Sequence, residues 1–554
     1  MAHQGHPVQL TPADAEWVEF ETHPDSYKHI ELVIEGGGAW IKLNIKEDQG
    51  HRAGYQLKLN SYDISVDVEL ADAVQRLRFE HPEVSVVVVT SALDGVFSSG
   101  ANIFMLGTSS HSFKVNFCKY TNETRLTIED ASAHSGQRYI AALNGVASGG
   151  GYELPLACEE IYLVDDRRSA VSLPEIPYLA VLPGTGGLTR VVDKRRVRRD
   201  QADVFVTLAE GIKGKKAVDW GLVDGVYPTS RFDEAIQKRV EALVDPSRAA
   251  LKGVPLPPTS PVVDESGIHY KYVEVTFGPT ERAATLTLTV PEGLPAIPQD
   301  PATLGSDWWP LRAWRELDNA LLHLRFHRRD VGLVLLQTRG RVEDVLALDA
   351  AMWERRDHWF VREVLLNLKR VLKRVDVTAK SFYALVGEGS CFAGSVLELA
   401  LAADRIYMLE AEGVELAMSP LNRGLLPMGN GLTRMQTRFV FDREKADDLA
   451  ARSGRFGASD ADDEGLVTMA MDDIDWGDEL RLAIEERVSM SPDALTGMEA
   501  SIRFAGPETM ETKIFGRLSA WQNWCFQRPN AVGEAGALSL YGRPERPEFN
   551  WERT

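Results

Sequence analysis

The sequence predicts an α/β chain built as a tandem duplication, two layered α/β units followed by a helical C-terminal region. Three observations carry that prediction. Short apolar runs alternate with amphipathic stretches in each half, the pattern of strands and helices layered around a parallel sheet. Four blocks of the first half recur in the same order in the second. After about Asp475 the alternation gives way to helical segments broken at Gly and Pro. These observations place the two units at residues 1–255 and 256–475, with a helical packing or oligomerisation region at 476–554.

The first block, from Glu69 to Phe79, spaces its apolar residues as an amphipathic helix and returns from Glu316 to Phe326. The second, Val84 to Val89, is a β-branched run suited to a strand buried on both faces, and it returns at Val331 to Leu336. The third joins Glu153-Leu154 and Ile161-Tyr162-Leu163 to Glu398-Leu399 and Ile406-Tyr407-Met408. The fourth joins the glycine-rich turn from Pro183 to Arg190 to the stretch from Pro427 to Arg434. Small drifts in the offset between copies are what loop insertions and deletions produce. Between the copies, Val254 to Pro261 carries four prolines, as expected of a stiff connection.

Composition narrows the function. Sixty-one Lys and Arg stand against 81 Asp and Glu, a net charge of −20. This excludes a nucleic-acid binder, whose footprint is basic, but leaves room for a small anionic ligand in a local basic pocket. The N-terminus lacks the charged-then-apolar build of a secretory signal, and no run of about 18 apolar residues suggests a membrane span. Cys118, Cys158, Cys391 and Cys525 lie far apart, with the spacing of neither a zinc site nor a disulfide framework. The expected location is the cytoplasm.

Three blocks of the first half are unusual for packing alone. Phe97-Ser98-Ser99-Gly100-Ala101-Asn102-Ile103 follows an apolar strand, and a turn of small residues there lets backbone N–H groups face a ligand. In Asn144 to Leu154, the triplet Gly149-Gly150-Gly151 precedes a helix, where free N–H groups favour developing negative charge. Leu173-Pro174-Glu175 precedes the turn from Pro183 to Gly187. Two N–H turns and two carboxylates thus follow buried strands in order.

These blocks resemble the crotonase (enoyl-CoA hydratase/isomerase) superfamily, well over about residues 35–240 and weakly in the second half. The resemblance implies a crotonase-like ββα spiral fold that binds acyl-CoA thioesters. It implies an oxyanion hole from the N–H groups of Ala101 and Gly150, with Gly100, Asn102, Gly149 and Gly151 forming the substrate-binding turns around it. It puts the catalytic carboxylates on Glu153 and Glu175, and members that keep both hold a water between them. Asn102 departs from the acidic residue usual at its position. Cys118, in the helical region that borders the acyl pocket of the superfamily, is a third catalytic candidate or a lining residue.

The second half keeps the frame and loses the motifs. Gly340 to Leu348 has no Ser-Gly-Ala turn, Gly389 to Ser395 replaces the triple glycine, Glu175 falls on Ser419, and Glu398 still matches Glu153. One active site and one structural copy are expected. Length and the decayed copy resemble the branch that opens an epoxidised, dearomatised benzoyl-CoA with two waters, releasing formate and 3,4-didehydroadipyl-CoA semialdehyde. Two rivals stay open: a hydratase of an unusual enoyl-CoA, and a non-catalytic CoA-binding scaffold. No metal or flavin motif is present, so the only cofactor implied is the CoA of the substrate. The implied partner is an acyl-CoA substrate, with no nucleic acid or membrane, in a homo-oligomer for which a dimer is favoured. The basic run from Lys194 to Arg199 reads as a solvated helix face or a phosphate site.

Overall fold

The structure, a computed structural model, describes residues 17–278, 282–452 and 454–554; the N-terminal residues read above for a leader lie outside them. The chain divides into two compact units, the boundary falling between Pro258 and Thr259.

In the first unit the strands are β1 (Ile30–Glu35), β2 (Gly38–Leu43), β3 (Ser61–Tyr62), β4 (Val86–Ser91), β5 (Gly95–Ser98), β6 (Gly100–Ala101), β7 (Arg138–Leu143), β8 (Gly145–Ser148), β9 (Glu160–Asp165), β10 (Val171–Ser172) and β11 (Gly225–Pro228). A six-stranded sheet runs β1-β2-β4-β7-β9-β11. β1 and β2 form an antiparallel hairpin, and every later pair is parallel. Val86, Val88, Ile140, Ala142 and Val164 pack one face of this sheet against Phe232, Ile236 and Val240 of the helix Phe232–Leu243. The apolar runs are continuous because a parallel sheet covered on both faces leaves no strand position for water.

Leaving the main sheet, the chain forms a second layer, the parallel sheet β10-β8-β5, and a short parallel pair β3-β6. Strand–strand–helix repeats therefore stack in a spiral, as expected for the ββα class. The helices that matter here are α1 (Ile64–Phe79), α2 (Ile103–Thr108), α3 (His111–Asp130), α4 (Gly150–Ala157) and α5 (Glu175–Leu179). Asp63 caps α1 by accepting from Ser65 N at 3.0 Å, a typical N-cap bond. Asn60, just before it, accepts from Ile45 N and donates to Leu43 O, Ser91 Oγ and Phe97 O. One buried side chain thus ties together the ends of β2, β4 and β5, from which the chemistry-bearing turns depart.

The second unit repeats the frame. Its eight-stranded sheet begins β12 (Val262–Val263), β13 (Gly267–His269), β14 (Val273–Phe277) and β15 (Ala283–Thr289), all antiparallel neighbours. It continues in parallel with β16 (Leu333–Arg339), β17 (Ser381–Val386) and β18 (Arg405–Leu409), and ends on Met469–Met471. Small contacts recur with the topology. Tyr27 donates to Asp72 at 2.5 Å, and Tyr270 donates to Asn319 at 2.6 Å, each binding the first helix of its unit to the chain before the hairpin. Asp224 accepts from Ile161 N, and Thr468 accepts from Ile406 N.

One difference matters. Where the first unit has β5, the turn and β6, the second has an uninterrupted helix, Val342–Glu354. The helix Trp476–Ser489 covers the second sheet as Phe232–Leu243 covers the first, with Leu480 packed against Leu333, Tyr383 and Tyr407. The boundary expected at 475 therefore precedes a helix of the second unit's own core. Beyond it, Glu499 of the helix Pro492–Ile502 accepts from Ser381, Arg487 and Arg553 in a buried cluster. No helix among the described residues is long and apolar enough to cross a membrane.

Candidate active site

The turn after β5 and the start of α4 meet in backbone contact. A Cβ on Gly100 would lie 2.7 Å from Gly150 N, and one on Gly150 would lie 3.3 Å from Ala101 N. Gly100 has φ of +86° and Gly149 has φ of +57°, conformations open to glycine at little cost. Gly151 is needed for space, because a Cβ there would strike Ser98 O at 2.2 Å. Asn102 N donates to Tyr62 O at 2.8 Å. The alternation of a strand then turns the preceding N–H, that of Ala101, to the opposite side, toward α4. The N–H of Gly150 is the first of its helix and has no intrahelical acceptor. The N–H of Gly149, by contrast, donates to Ser172 O at 2.9 Å.

Asn102, expected among the substrate-binding residues, has its side chain engaged within the fold. Its Oδ1 accepts from Met105 N at 2.9 Å, and its Nδ2 donates to Gln56 O at 2.8 Å and Ser61 Oγ at 3.2 Å. It is the N-cap of α2, and its carboxamide holds the turn in place.

Glu153, one turn into α4, is 3% exposed. Its Oε1 accepts from Thr185 N at 3.0 Å and Gly187 N at 2.7 Å, and its Oε2 accepts from the Thr185 hydroxyl. The glycine-rich turn read from the sequence therefore serves to grip this carboxylate. Glu175 opens α5, and its Oε1 lies 2.9 Å from the position of a Cβ on Gly149. Its Oε2 is buried with no hydrogen-bond partner among the described residues. Burial, together with the negative charge of Glu153, pushes its carboxyl up to about 7. Two neighbouring carboxylates thus sit in opposite settings, one gripped by three donors and one with an oxygen left without a partner among the described residues.

Cys118 lies on α3, part-buried, and burial followed by the charge of Glu153 pushes its thiol up to about 11. At neutral pH it is a thiol rather than a thiolate, close enough to Glu153 to feel its charge. Lys119 gives it no thiolate character.

One residue of this region carries no motif. Tyr62, in β3, is 5% exposed, and its hydroxyl has no partner among the described residues. That oxygen stands 2.1 Å from the position of a Cβ on Gly150. The Arg125 guanidinium over the ring, 5.4 Å from its centroid, and Phe117 at 6.2 Å fix the side chain. Arg125 is itself held by Asp67 at 2.8 Å. A tyrosine just before a helix cap gives the sequence no periodic or spacing signal.

The basic run is not a helix face. Arg196 has φ of +56° in the break between the π-helical segment Arg190–Lys194 and a helix that starts at Arg199. Lys194 pairs with Glu129, Arg195 with Asp224 and Arg198 with Asp200.

In the second unit the counterpart of α4 is the helix Gly394–Ala402. Gly394 keeps a positive φ, +47°, and Ser395 stands where Gly150 does. Ser395 N donates to Asp349 Oδ2 at 2.6 Å, and the hydroxyls of Ser395 and Ser419 donate to the same carboxylate, each at 2.7 Å. Asp349 comes from the helix Val342–Glu354, at the position that pairs with Asn102. Glu398, the partner of Glu153, is buried against Asn422 and Arg434. Arg434 also binds Asp376 at 2.7 Å, as Arg190 binds Glu129 in the first unit.

A family model described as enoyl-CoA hydratase/isomerase matches residues 56–255. Benzoyl-CoA-dihydrodiol lyase of Aromatoleum evansii is 54% identical over 545 residues, 97% of this chain and 98% of that protein. Among solved structures, an enoyl-CoA hydratase of Geobacillus kaustophilus HTA426 is 31% identical, with a TM-score of 0.35 over 40% of this chain and 77% of its own. An enoyl-CoA hydratase of Bacillus anthracis is 26% identical, with a TM-score of 0.33 over 39% and 76%. The identity to the lyase extends through both units, and the chain therefore belongs to the enoyl-CoA hydratase/isomerase (crotonase) superfamily, as an enzyme on the branch of benzoyl-CoA-dihydrodiol lyase.

Proposed function

We propose that this lyase opens 2,3-epoxy-2,3-dihydrobenzoyl-CoA with two waters and cleaves a ring carbon–carbon bond, leaving formate and 3,4-didehydroadipyl-CoA semialdehyde. The observation that carries the reading is the carboxylate pair beside two convergent N–H groups. The N–H groups of Ala101 and Gly150 accept the charge that develops on the thioester oxygen, a contribution realised mainly in the transition state. Glu175, near 7 and with a bare oxygen, gives or takes a proton at neutral pH with little driving force lost either way. Glu153, with its oxygens fixed by Thr185 and Gly187, orients water on its remaining lone pair. Cys118 lines the acyl side as a neutral thiol. The CoA of the substrate is the only cofactor needed.

The second unit supports one active site per chain, because Asp349 already fills the place of a bound oxyanion. A cytoplasmic location fits four free cysteines. A homodimer is the reading that best covers the exposed Met510, Ile514, Phe515 and Leu518 of the helical tail. The direct test is formate release from epoxidised benzoyl-CoA by the purified chain. Stoichiometric formate supports the reading. Hydration of crotonyl-CoA without formate release would assign the chain to plain hydratase chemistry instead.

A further inference from the structure

We propose that the Tyr62 hydroxyl is a substrate contact, donating a hydrogen bond to an oxygen carried by the acyl group rather than to the thioester oxygen. The inference deepens the reading above and rests on it. Its first support is that the hydroxyl is buried, without a partner among the described residues, and directed at the start of α4. A buried hydroxyl left unpaired by the fold is costly, and such a group persists where something else completes it. Its second support is location. The oxygen fills the space that a side chain on Gly150 would take, and the Ala101 N–H borders the same point.

Three donors therefore converge, two backbone N–H groups and one O–H. A carbonyl oxygen has two lone pairs, and the two N–H groups occupy both. The third donor serves a different acceptor, set in the acyl group close to the thioester. Arg125 and Phe117 hold the ring from behind, so the hydroxyl cannot swing away to find another partner. Burial pushes its proton affinity up, which keeps it a donor. A site built to donate to a substrate oxygen discriminates strongly against the analogue that lacks it, because the buried donor is then left unpaired.

Tyr62→Phe tests this with two ligands, epoxidised benzoyl-CoA, which carries the ring oxygen, and benzoyl-CoA, which does not. The expected result is a loss of about 10- to 1,000-fold in kcat/KM for the epoxide, with the Kd of benzoyl-CoA changed less than twofold by calorimetry. The ligand-free variant should melt no lower than the parent, since it loses only an unpaired group. Equal weakening toward both ligands, no change toward either, or a lowered melting temperature would overturn the proposal. Formate release retained at parental rate in Tyr62→Phe defeats this inference alone. A parent chain that neither binds benzoyl-CoA nor releases formate defeats the proposed function, and this inference with it.

Discussion

In the first unit the backbone at Gly150 closely approaches the Gly100-Ala101 turn, while in the second the N–H of Ser395, at the matching point of the helix, donates to Asp349 at 2.6 Å. Both helix starts carry the partial positive charge of aligned peptide dipoles, and both follow a glycine of positive φ. They differ in who supplies the negative charge. The second unit supplies it from its own chain, with three donors on one buried carboxylate. On the proposed function the first leaves the position to the substrate. The same contrast separates Glu175, bare on one oxygen, from Ser419, which occupies its place and is committed to Asp349. On that reading a duplicated frame keeps its helices, glycines and sheet order and holds one working site.

The sharpest break in the comparison comes from paired substitutions. Glu175→Gln should lower turnover by about 10²- to 10⁴-fold, the usual contribution of a proton-transfer group, with substrate affinity nearly kept. Ser419→Ala at the matching position should leave kcat unchanged and cost about 1 kcal/mol of stability, since Ser419 also caps the turn Pro420–Arg423. Single-turnover formate release and thermal melts measure the two halves of this contrast. Equal loss of turnover in both would mean that the second unit takes part in the chemistry.

Next in size is Asp349→Ala. It leaves Ser395 N–H and two hydroxyls without their acceptor in a buried place, and the loss should be at least about 1–3 kcal/mol, the cost of one unsatisfied buried donor. Because the group is an anion sink, formate or acetate should restore part of the melting temperature in a saturable way. Catalytic rates at temperatures well below the melt should be unaffected.

A last effect is the pH dependence of stability. Glu175 holds its proton to about 7 in the folded chain against an ordinary value of 4.5. Between those values the folded state binds more protons than the unfolded one, so its contribution to stability is full below about 4.5 and is lost as pH rises through 7. Glu175→Gln removes that dependence. The melting temperature of the variant should gain on the parent from pH 5 to pH 8, and a gain toward acid pH would contradict the bare, buried setting of this carboxyl.

Much of this comparison is legible in sequence. The duplication is, because strand and helix patterns recur at nearly constant spacing and a buried core tolerates little change in period. Glu153, Glu175 and the two N–H turns are, because each sits in a motif with glycine or proline beside it. Tyr62 is not, since its meaning depends on a backbone that arrives 88 residues later in the chain (Tyr62 to Gly150). Asn102 looks like a ligand group from its neighbours, and only the fold reveals a helix cap. Asp349 is hidden for a related reason. The sequence shows that the Ser-Gly-Ala turn is gone, but not that a helix running through its place carries a carboxylate to the next helix start.

The helix Val342–Glu354 also sets the terms for engineering. Returning a ligand to the second unit is a backbone problem before it is a side-chain one. Substituting Asp349 clears the charge, yet a helix still runs where β5 and β6 would have to present the opposing N–H. A second pocket would need the 340–348 segment rebuilt as strand and turn, and Glu398 released from Arg434. Loss of function through a change of path is in this sense harder to reverse than loss through a change of residue.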